Sequence, residues 1–207
     1  MKIRLYSYGG SGLKFLTNIT KNYVSEAIDS AHNPHTFEDI NRRPIDKAIF
    51  IYADPRDAIC SFFRRNGKSA AWVRRHFDHM NPNFMGSTIF YDKDRRPKTI
   101  NEYLDTCNVD EFGLERLFCN WLNYKPKKPL LFVKYESIMN SETLQELQDF
   151  LQINNQQFVK DMRDKFRTRA SSYKDLEEEY VDKITKMNQS LLEKQENLPN
   201  FFISGEN

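Results

Sequence analysis

The stretch Ser7–Leu16, SYGGSGLKFL, decides how the fold begins. It overlaps an alternating segment, Ile3 to Tyr8, whose pattern predicts a short strand. Gly9 and Gly10 then end the strand in a tight turn, because glycine adopts backbone conformations that other residues avoid. Beyond the turn, apolar residues recur at helical intervals: Leu16, Ile19, Tyr23 and Ala27. The chain is therefore predicted to open as strand, glycine loop and helix.

The glycine loop differs from that of ATP-binding P-loops. Such a loop runs G-x-x-x-x-G-K-[ST], in which the lysine follows the last glycine and the hydroxyl binds Mg²⁺. Here Leu13 follows Gly12, Lys14 comes one position late, and the residue after Lys14 is Phe15 rather than one with a hydroxyl. One hypothesis is that Lys14 reaches back toward the loop, because helical side chains tilt toward the N-terminus. The alternative is that Lys14 lies on the solvent side.

Length and composition favour one soluble domain, residues 1–207. Within it, residues 173–207 could form an extended helical C-terminal segment. Of the 207 residues, 29% are charged and 14% are aromatic. The N-terminus lacks the apolar region of a signal peptide, and no run approaches the roughly 18 apolar residues of a membrane span. Three cysteines without motif spacing favour reduced thiols. We therefore expect a cytoplasmic protein.

Charge is distributed unevenly along the chain. Residues 42–98 contain 13 Lys and Arg against 6 Asp and Glu, whereas residues 136–196 contain 9 against 13. A basic middle suits an anionic ligand such as a nucleotide or a sulfated or phosphorylated substrate. Nucleic acid is not expected, because the basic region lacks aromatic residues arranged as a stacking platform. Ordinary solvated surface charge explains any single residue of this region equally well.

Strands and helices alternate along the rest of the chain. Two apolar runs, Lys47–Ala53 and Leu130–Tyr135, predict strands buried on both faces. Asp54 and Pro55 follow the first run and predict a helix start, with a capping carboxylate and a proline at the first position. Residues 30–46 and 81–98 are predicted to be irregular. Further helices are predicted at 70–77, from 110, from 141, at 156–166 and at 173–194.

This alternation predicts an α/β fold, with a parallel sheet flanked by helices and joined by right-handed crossovers. Ligands of such sheets bind at the carboxyl ends of the strands. Gly9–Lys14 and Asp54–Ser61 both fall at that edge. Two neighbouring strand-to-helix turns form an anion site from backbone N–H groups and helix dipoles. An anion site is therefore expected between these two segments.

Three segments, in the correct order, resemble the sulfotransferase family, P-loop-like enzymes that use 3′-phosphoadenosine 5′-phosphosulfate (PAPS). YGGSGLKFL resembles the 5′-phosphosulfate loop, usually Y-P-K-S-G-T-T-W-L. KAIFIYADPRDAICSFF resembles the 3′-phosphate strand and helix, with the pattern K-I-I-Y-x-x-R-[ND]-P-[KR]-D-x-x-x-S-[YF]. LLFVKYESIMNSETLQELQDFL resembles the next strand and helix, with its Y-E-[DS]-[LM] turn. The second segment is the most specific, and the three together contain 48 of the 207 residues.

The resemblance implies a P-loop NTPase-like sulfotransferase fold. The implied activity moves a sulfuryl group from PAPS to a hydroxyl or amine of an unidentified acceptor, without a metal. The basic segment Arg64 to Arg75 suits an acidic glycan as acceptor, and a small molecule is the alternative. The product of PAPS is 3′-phosphoadenosine 5′-phosphate (PAP).

The resemblance also implies roles for particular residues. The 5′ end of the cofactor is expected at Gly9, Gly10, Ser11, Gly12, Leu13 and Lys14. Ser61 is expected to contact the 3′-phosphate. Arg56 either lies near the cofactor or faces solvent at the helix start. The segment FRTRASSYKDL resembles the family's closing loop, which makes Arg167 and Arg169 candidates for the 3′-phosphate.

The family base is a histidine that ends the second strand and takes a proton from the acceptor. The segment SAHNPH offers His32, with His35 as its rival. The alternative is that both are surface turn residues. Glu136 is expected to brace the sheet edge or a neighbouring loop.

Three departures from the family pattern leave other functions open. Gly10 replaces the loop lysine, Ala53 replaces an arginine, and Leu13 and Lys14 replace two threonines. One alternative is a nucleotide kinase, although its Gly-Lys-[Ser/Thr] motif and metal-binding Asp are not in register. The other is a nucleotide-binding module that keeps the fold without catalysis. The segment 175–195 predicts a solvated amphipathic helix or a homodimer surface.

Overall fold

The computed structural model describes residues 1–31, 40–41, 44–66, 73, 77, 92, 94–166 and 172–204. The helices and strands with defined bounds are β1 Lys2–Ser7, α1 Leu13–Thr20, β2 Glu26–Ala31, β3 Lys47–Tyr52, α2 Pro55–Asn66, α3 Ile100–Thr106, α4 Leu114–Asn123, β4 Leu130–Lys134, α5 Ser141–Leu151, α6 Gln156–Lys165, α7 Glu178–Met187, α8 Gln189–Glu196 and β5 Phe201–Ile203. Short 3₁₀ turns, Tyr135–Ser137 and Tyr173–Asp175, follow β4 and precede α7.

The strands form one sheet in the order β2-β1-β3-β4-β5. β1 is parallel to β2 and β3, and β3 is parallel to β4, whereas β5 runs antiparallel to β4. Ser7 at the end of β1 pairs with Ala31 on one side and Ile51 on the other. These three strands therefore end at the same edge of the sheet. The predicted α/β class, with a mostly parallel sheet flanked by helices, is confirmed.

Both faces of the sheet are buried, as the continuous apolar run of β3 predicts. Successive strand residues point to opposite faces, so Phe50 and Tyr52 pack in one layer and Ile49 and Ile51 in the other. All four side chains are fully buried, and burying each contributes about 1.5–3 kcal/mol. The first layer also receives side chains from α2, α3, α4, α7 and α8. The second receives them from α1, α5 and α6.

The helix after the glycine loop is shorter than predicted. It ends at Thr20, and Ala27 lies on β2, a strand that the sequence pattern did not predict. Six consecutive residues of β2 pair with β1. This pairing outweighs the helical spacing of the apolar residues. As an edge strand with mixed polar and apolar residues, β2 carries no continuous apolar run that would have revealed it.

The C-terminal segment is two helices and a strand, whereas one helix was predicted over 173–194. Helices α7 and α8 meet at Asn188, whose side chain donates to the carbonyl oxygen of Ile184 at 2.8 Å. Ile184 and Leu191 are buried in the same layer as Phe50. The chain then adds β5, which was not predicted, to the edge of the sheet. This segment therefore contributes both to the core and to the sheet.

The remaining predictions have mixed outcomes. The strands β1, β3 and β4 and the helices α2, α4, α5 and α6 are confirmed. Helix α3, Ile100–Thr106, was not predicted. The helix predicted at 70–77 and the loop predicted at 81–98 lie mostly outside the described residues. Val73 and Phe77, which the structure does describe, are both buried.

Candidate functional site

Two strand-to-helix turns lie side by side at the carboxyl edge of the sheet. The first joins β1 to α1 through the glycine loop, and the second joins β3 to α2 through Ala53 and Asp54. They are neighbours because β1 and β3 pair directly. Parallel sheets bind ligands at this edge. The two predicted anion-binding segments are therefore close together in the fold.

The glycine loop has a backbone suited to an anion. Gly9, Gly10 and Gly12 have φ of 88°, 64° and 76°, and Ser11 between them has negative φ. Positive φ at these glycines lets the loop turn backbone N–H groups toward one side, as in the glycine-rich turns that bind anions. Gly12 caps α1 and has no side chain that could accept from the first-turn N–H groups of this helix. Those groups remain available to a bound anion.

The loop is pinned between α2 and Tyr135. A methyl group at Gly10 would lie 2.8 Å from Cα of Ala58 in α2, and one at Gly12 would overlap the ring of Tyr135. Backbone atoms of α2 cannot move aside for a larger side chain. Glycine at position 10 is therefore required by contact as well as by φ.

The side chains of the loop have different surroundings. Ser11 is fully buried and its hydroxyl donates to the carbonyl oxygen of Ile51 at 3.2 Å. Leu13 is buried, whereas Lys14 is exposed on the first turn of α1. The loop therefore offers a ligand its backbone N–H groups, and Ser11 holds the loop against β3.

Hydrogen bonds brace the second turn. The backbone N–H of Asp54 donates to Oε1 of Glu136 at 3.1 Å. The expectation that Glu136 braces a neighbouring loop is confirmed. Burial, followed by the negative charge of Glu136, raises the pKa of the Tyr52 hydroxyl far above its usual value. Tyr52 therefore stays protonated at neutral pH.

The first turn of α2 contacts the C-terminal segment through its charged side chains. Arg56 makes a bidentate ion pair with Asp54, at 3.0 Å from Nε to Oδ1 and 2.6 Å from Nη2 to Oδ2. Its guanidinium lies 3.8 Å from the ring centroid of Tyr173 and donates to Thr185 at 3.3 Å. Partial burial lowers the pKa of Arg56, but its hydrogen bonds and the charge of Asp54 outweigh this and raise it. Arg56 is thus held against the protein.

Asp57 holds the same segment from the next position of α2. Its Oδ1 accepts from the hydroxyl of Ser172 at 3.0 Å and from the backbone N–H of Tyr173 at 2.9 Å. Ser172 and Asp175 form a reciprocal capping box around this turn. The DPRD sequence of α2 therefore anchors the C-terminal segment through Arg56 and Asp57.

Ser61 lies on α2, with 7% of its surface exposed. Its neighbour Cys60 is buried, and burial together with the charges of Asp57 and Asp54 raises the pKa of the thiol to about 12. A thiol with this pKa stays protonated at neutral pH and does not act as a nucleophile.

Three aromatic rings lie beside the glycine loop, a cluster that the sequence reasoning missed. Phe15 lies 5.6 Å from Phe166 and 6.5 Å from Tyr135, and Tyr135 lies 5.5 Å from Phe166, as ring-centroid distances. Tyr135 is nearly buried, whereas Phe15 and Phe166 are partly exposed. Phe15 occupies the tryptophan position of the family's loop pattern, and this was the available sequence signal. The contact with Phe166, which is distant in sequence, carried none.

Several predicted site residues lie outside the described residues: His32, His35, Arg167 and Arg169. The basic segment Arg64 to Arg75 lies mostly outside them as well. The flanking residues are described. β2 ends at Ala31, and Phe166 and Ser172 contact α1 and α2 respectively.

The sequence matches no family model, and no curated protein is significantly similar to it. None of the helices within the described residues is both long and apolar enough to cross a membrane. Over the same residues, no three His, Cys, Asp or Glu side chains are grouped so that they could hold a metal ion.

Proposed function

We propose that this protein is a PAPS-dependent sulfotransferase with a P-loop NTPase-like sulfotransferase fold. The main observation that supports this proposal is the contact between the glycine loop and α2. The loop has three glycines with positive φ, and Gly10 packs against Ala58 of the helix that bears the DPRDAICSF sequence. A nucleotide with phosphates at both its 5′ and 3′ ends matches two adjacent turns better than a nucleotide with one phosphorylated end.

The 5′ end of the cofactor binds the glycine loop in this proposal. The N–H groups from Gly10 to Leu13 converge on the phosphosulfate, and the positive end of the α1 dipole favours its charge. Lys14, which is exposed at this helix start, supplies the cation that Gly10 cannot.

The 3′-phosphate binds beside α2, with Ser61 as the side-chain partner carried over from the family pattern. Ala53 stands at the position of the family's arginine, so this position offers no charge to the 3′-phosphate. Ala53 is also fully buried. Arg56 is engaged by Asp54, Thr185 and Tyr173. These contacts favour an anchoring role for Arg56, and the 3′-phosphate charge is then assigned to Arg167 and Arg169.

The aromatic cluster supports binding of a nucleobase. The partly exposed rings of Phe15 and Phe166 lie next to the loop that takes the 5′ end. Aromatic side chains stack on bases, with about 1–3 kcal/mol per base in single-stranded nucleic acids. The adenine of PAPS is the group that this surface would hold.

The transfer step needs a base and charge stabilisation. The base removes the proton of the acceptor hydroxyl or amine as that atom attacks the sulfur. The bond between sulfur and the bridging oxygen breaks, and PAP leaves with the electron pair. Lys14 stabilises the charge that grows on the departing oxygen. The end of β2 at Ala31, directly before His32 and paired with Ser7, supports His32 over His35 as the base.

A second candidate function is a nucleotide-binding module without catalysis. Two observations favour it: Gly10 stands at the loop-lysine position, and the buried Ala53 stands at the arginine position. A nucleotide kinase is disfavoured by the described residues. The Ser11 hydroxyl is committed to Ile51, and the Asp54 carboxylate is committed to Arg56, so neither is offered to Mg²⁺.

Sulfuryl transfer tests the proposal directly. Purified protein is incubated with PAPS carrying labelled sulfur and with a panel of hydroxyl and amine acceptors, including acidic glycans. Labelled product is expected, and His32→Ala should reduce its rate by roughly 10²–10⁴-fold while His35→Ala does not. PAP binding without transfer to any acceptor would favour the non-catalytic module.

A further inference from the structure

The hydroxyl of Tyr8 joins the two turns of the candidate site. It donates to the carbonyl oxygen of Ala53 and accepts from the N–H of Ala53 at 2.7 Å. Tyr8 directly precedes Gly9 and the glycine loop, and Ala53 directly precedes Asp54 and the second turn. Both residues are fully buried, so water cannot replace these bonds. One side chain therefore links the starting points of both turns.

A third group reaches the same hydroxyl from α8. Nε2 of Gln195 lies 3.1 Å from the Tyr8 oxygen, and Gln195 is buried with 3% of its surface exposed. The single hydroxyl proton of Tyr8 goes to the carbonyl oxygen of Ala53. The amide of Gln195 must therefore donate to Tyr8, and a carboxylate at position 195 could not replace it.

We propose that Tyr8 and Gln195 are positioning residues that set the spacing between the glycine loop and the α2 turn. Through them, docking of α8 is coupled to ligand binding. This inference rests on the proposed function, because PAP would contact both turns at once. PAP places its 5′-phosphate on one turn and its 3′-phosphate on the other, so it requires a fixed spacing. AMP, which lacks the 3′-phosphate, does not.

The chain provides a matched control in Tyr52. This residue is buried at the end of β3, and its hydroxyl donates to the carbonyl oxygen of Pro199 at 3.1 Å. It thus ties a strand end to the C-terminal segment, as Tyr8 does, but its bond does not join the two turns. Tyr52→Phe removes one partly buried hydrogen bond of a buried tyrosine and leaves the bonds between the two turns intact.

The experiment compares Tyr8→Phe, Gln195→Met and Tyr52→Phe by calorimetric titration with PAP and with AMP. Tyr8→Phe and Gln195→Met are expected to weaken PAP binding about 5-fold or more. Their AMP affinity should change by less than about 2-fold. AMP is affected less than PAP because the coupling acts only on a ligand that spans both turns. Tyr52→Phe should alter neither affinity. Gln195→Met keeps the Tyr8–Ala53 bonds, so it remains informative where Tyr8→Phe folds poorly.

Amide hydrogen exchange in the ligand-free protein provides a second readout. The N–H groups of Ser11 and Gly12 should exchange faster in Tyr8→Phe and Gln195→Met than in Tyr52→Phe, at matched global stability. The inference would be overturned if all three variants bound PAP with the same affinity. It would also be overturned if Tyr52→Phe lost as much PAP affinity as Tyr8→Phe and Gln195→Met. If the wild-type protein binds no PAP, the proposed function fails. The inference is then tested by hydrogen exchange alone, and exchange at Ser11 and Gly12 that is unchanged in Tyr8→Phe and Gln195→Met overturns it.

Discussion

The turn between β1 and α1 and the turn between β3 and α2 occupy equivalent places in the fold but use their residues differently. The first presents backbone N–H groups at a helix start whose N-cap residue, Gly12, has no capping side chain. The second engages its charged side chains with the C-terminal segment, through Arg56 to Tyr173 and Asp57 to Ser172. Equivalent positions at a sheet edge therefore do not guarantee equivalent roles.

The difference suggests how the site is built. The N–H of Gly9 donates to the hydroxyl of Ser7 at 3.1 Å, but the N-cap of α1, Gly12, has no side chain that would compete with a phosphate for the first-turn N–H groups. At α2, the carboxylate of Asp54 already accepts from the N–H of Arg56 at 2.9 Å. The first turn is thus the stronger candidate for a direct anion contact. The helix after the second turn, α2, contacts the loop through Ala58 and holds the C-terminal segment through Arg56 and Asp57.

Gly10→Ala should have the largest effect on stability. The substitution places a methyl group against the backbone of α2 and forces alanine into a left-handed φ of 64°. The left-handed conformation costs about 1–2 kcal/mol and overpacking about 1–3 kcal/mol, so the free energy of unfolding should fall by roughly 2–5 kcal/mol. Urea denaturation measures this loss. Gly113→Ala, at φ 68°, is the control for the backbone cost, and an equal loss there would show that contact with α2 contributes nothing.

Lys14→Ala should weaken PAP binding by about 1.5–3 kcal/mol, the scale of a hydrogen bond to a charged group. The reason is that Lys14 replaces the missing loop lysine in our proposal. The free energy of unfolding of the ligand-free protein should hardly change, because Lys14 is exposed. Calorimetric titration gives the affinity, and Lys21→Ala at the other end of α1 is the control. Unchanged affinity would mean that backbone N–H groups alone hold the 5′ end.

Arg56→Ala should lower stability more than it lowers ligand affinity. It removes a partly buried ion pair, whose side chains are each 18% exposed, and a cation–π contact with Tyr173. The expected loss is about 1–2 kcal/mol in the free energy of unfolding, with PAP affinity changed by less than about 2-fold, or 0.4 kcal/mol. Denaturation and titration on the same sample separate these outcomes. A loss of affinity at unchanged stability would assign Arg56 to the phosphate.

Asp110 at the start of α4 should have a smaller effect on stability, and this effect should depend on pH. Its side chain accepts hydrogen bonds at the start of α4, whereas the N-cap residue of α1 is a glycine without a capping side chain. Its carboxylate accepts from the N–H groups of Phe112 and Leu114 at 2.9 and 2.6 Å. Burial raises its pKa from 3.8 to about 6, although these hydrogen bonds act in the opposite direction. The folded state therefore holds this proton more tightly than the unfolded state. Its contribution to stability is present below pH 3.8 and is lost as pH rises through about 6.

Asp110→Asn should remove this dependence. The unfolding free energy of the wild type minus that of the variant is expected to decrease between pH 4 and pH 7, as measured by urea denaturation at matched ionic strength. A difference that stays constant or increases over this range would show that the folded carboxyl keeps an ordinary pKa.

The parts of the fold that the sequence predicted are those set by local pattern. Residues 47–66 contain a buried strand, a capping aspartate and a helix with a regular apolar stripe, and all of these formed as predicted. The edge strand β2 and the three-residue strand β5 were missed, because each is defined by its pairing with a neighbour. Neither the mixed polarity of β2 nor the short length of β5 distinguishes it from a loop.

The candidate site was predictable to a similar extent. The two turns were found from glycines, Asp54 and Pro55, because these residues mark strand ends and helix starts locally. The hydrogen bond between Gln195 and Tyr8 joins residues 187 positions apart, and no local pattern indicates it. The anchoring of Arg56 by Tyr173 and Thr185 was hidden for the same reason. Contacts between distant segments determined which of the matched side chains are held against the protein.

In our proposal, the glycine loop and α2 together hold a nucleotide with phosphates at both ends. Thermal stabilisation of the protein by PAP, compared with that by AMP and ATP, is the measurement that decides this. PAP at 100 times its dissociation constant should stabilise the protein by about 2.7 kcal/mol, whereas AMP should have little effect and Mg²⁺ should not be required. Equal stabilisation by AMP and PAP, or stabilisation by ATP that depends on Mg²⁺, would contradict the account.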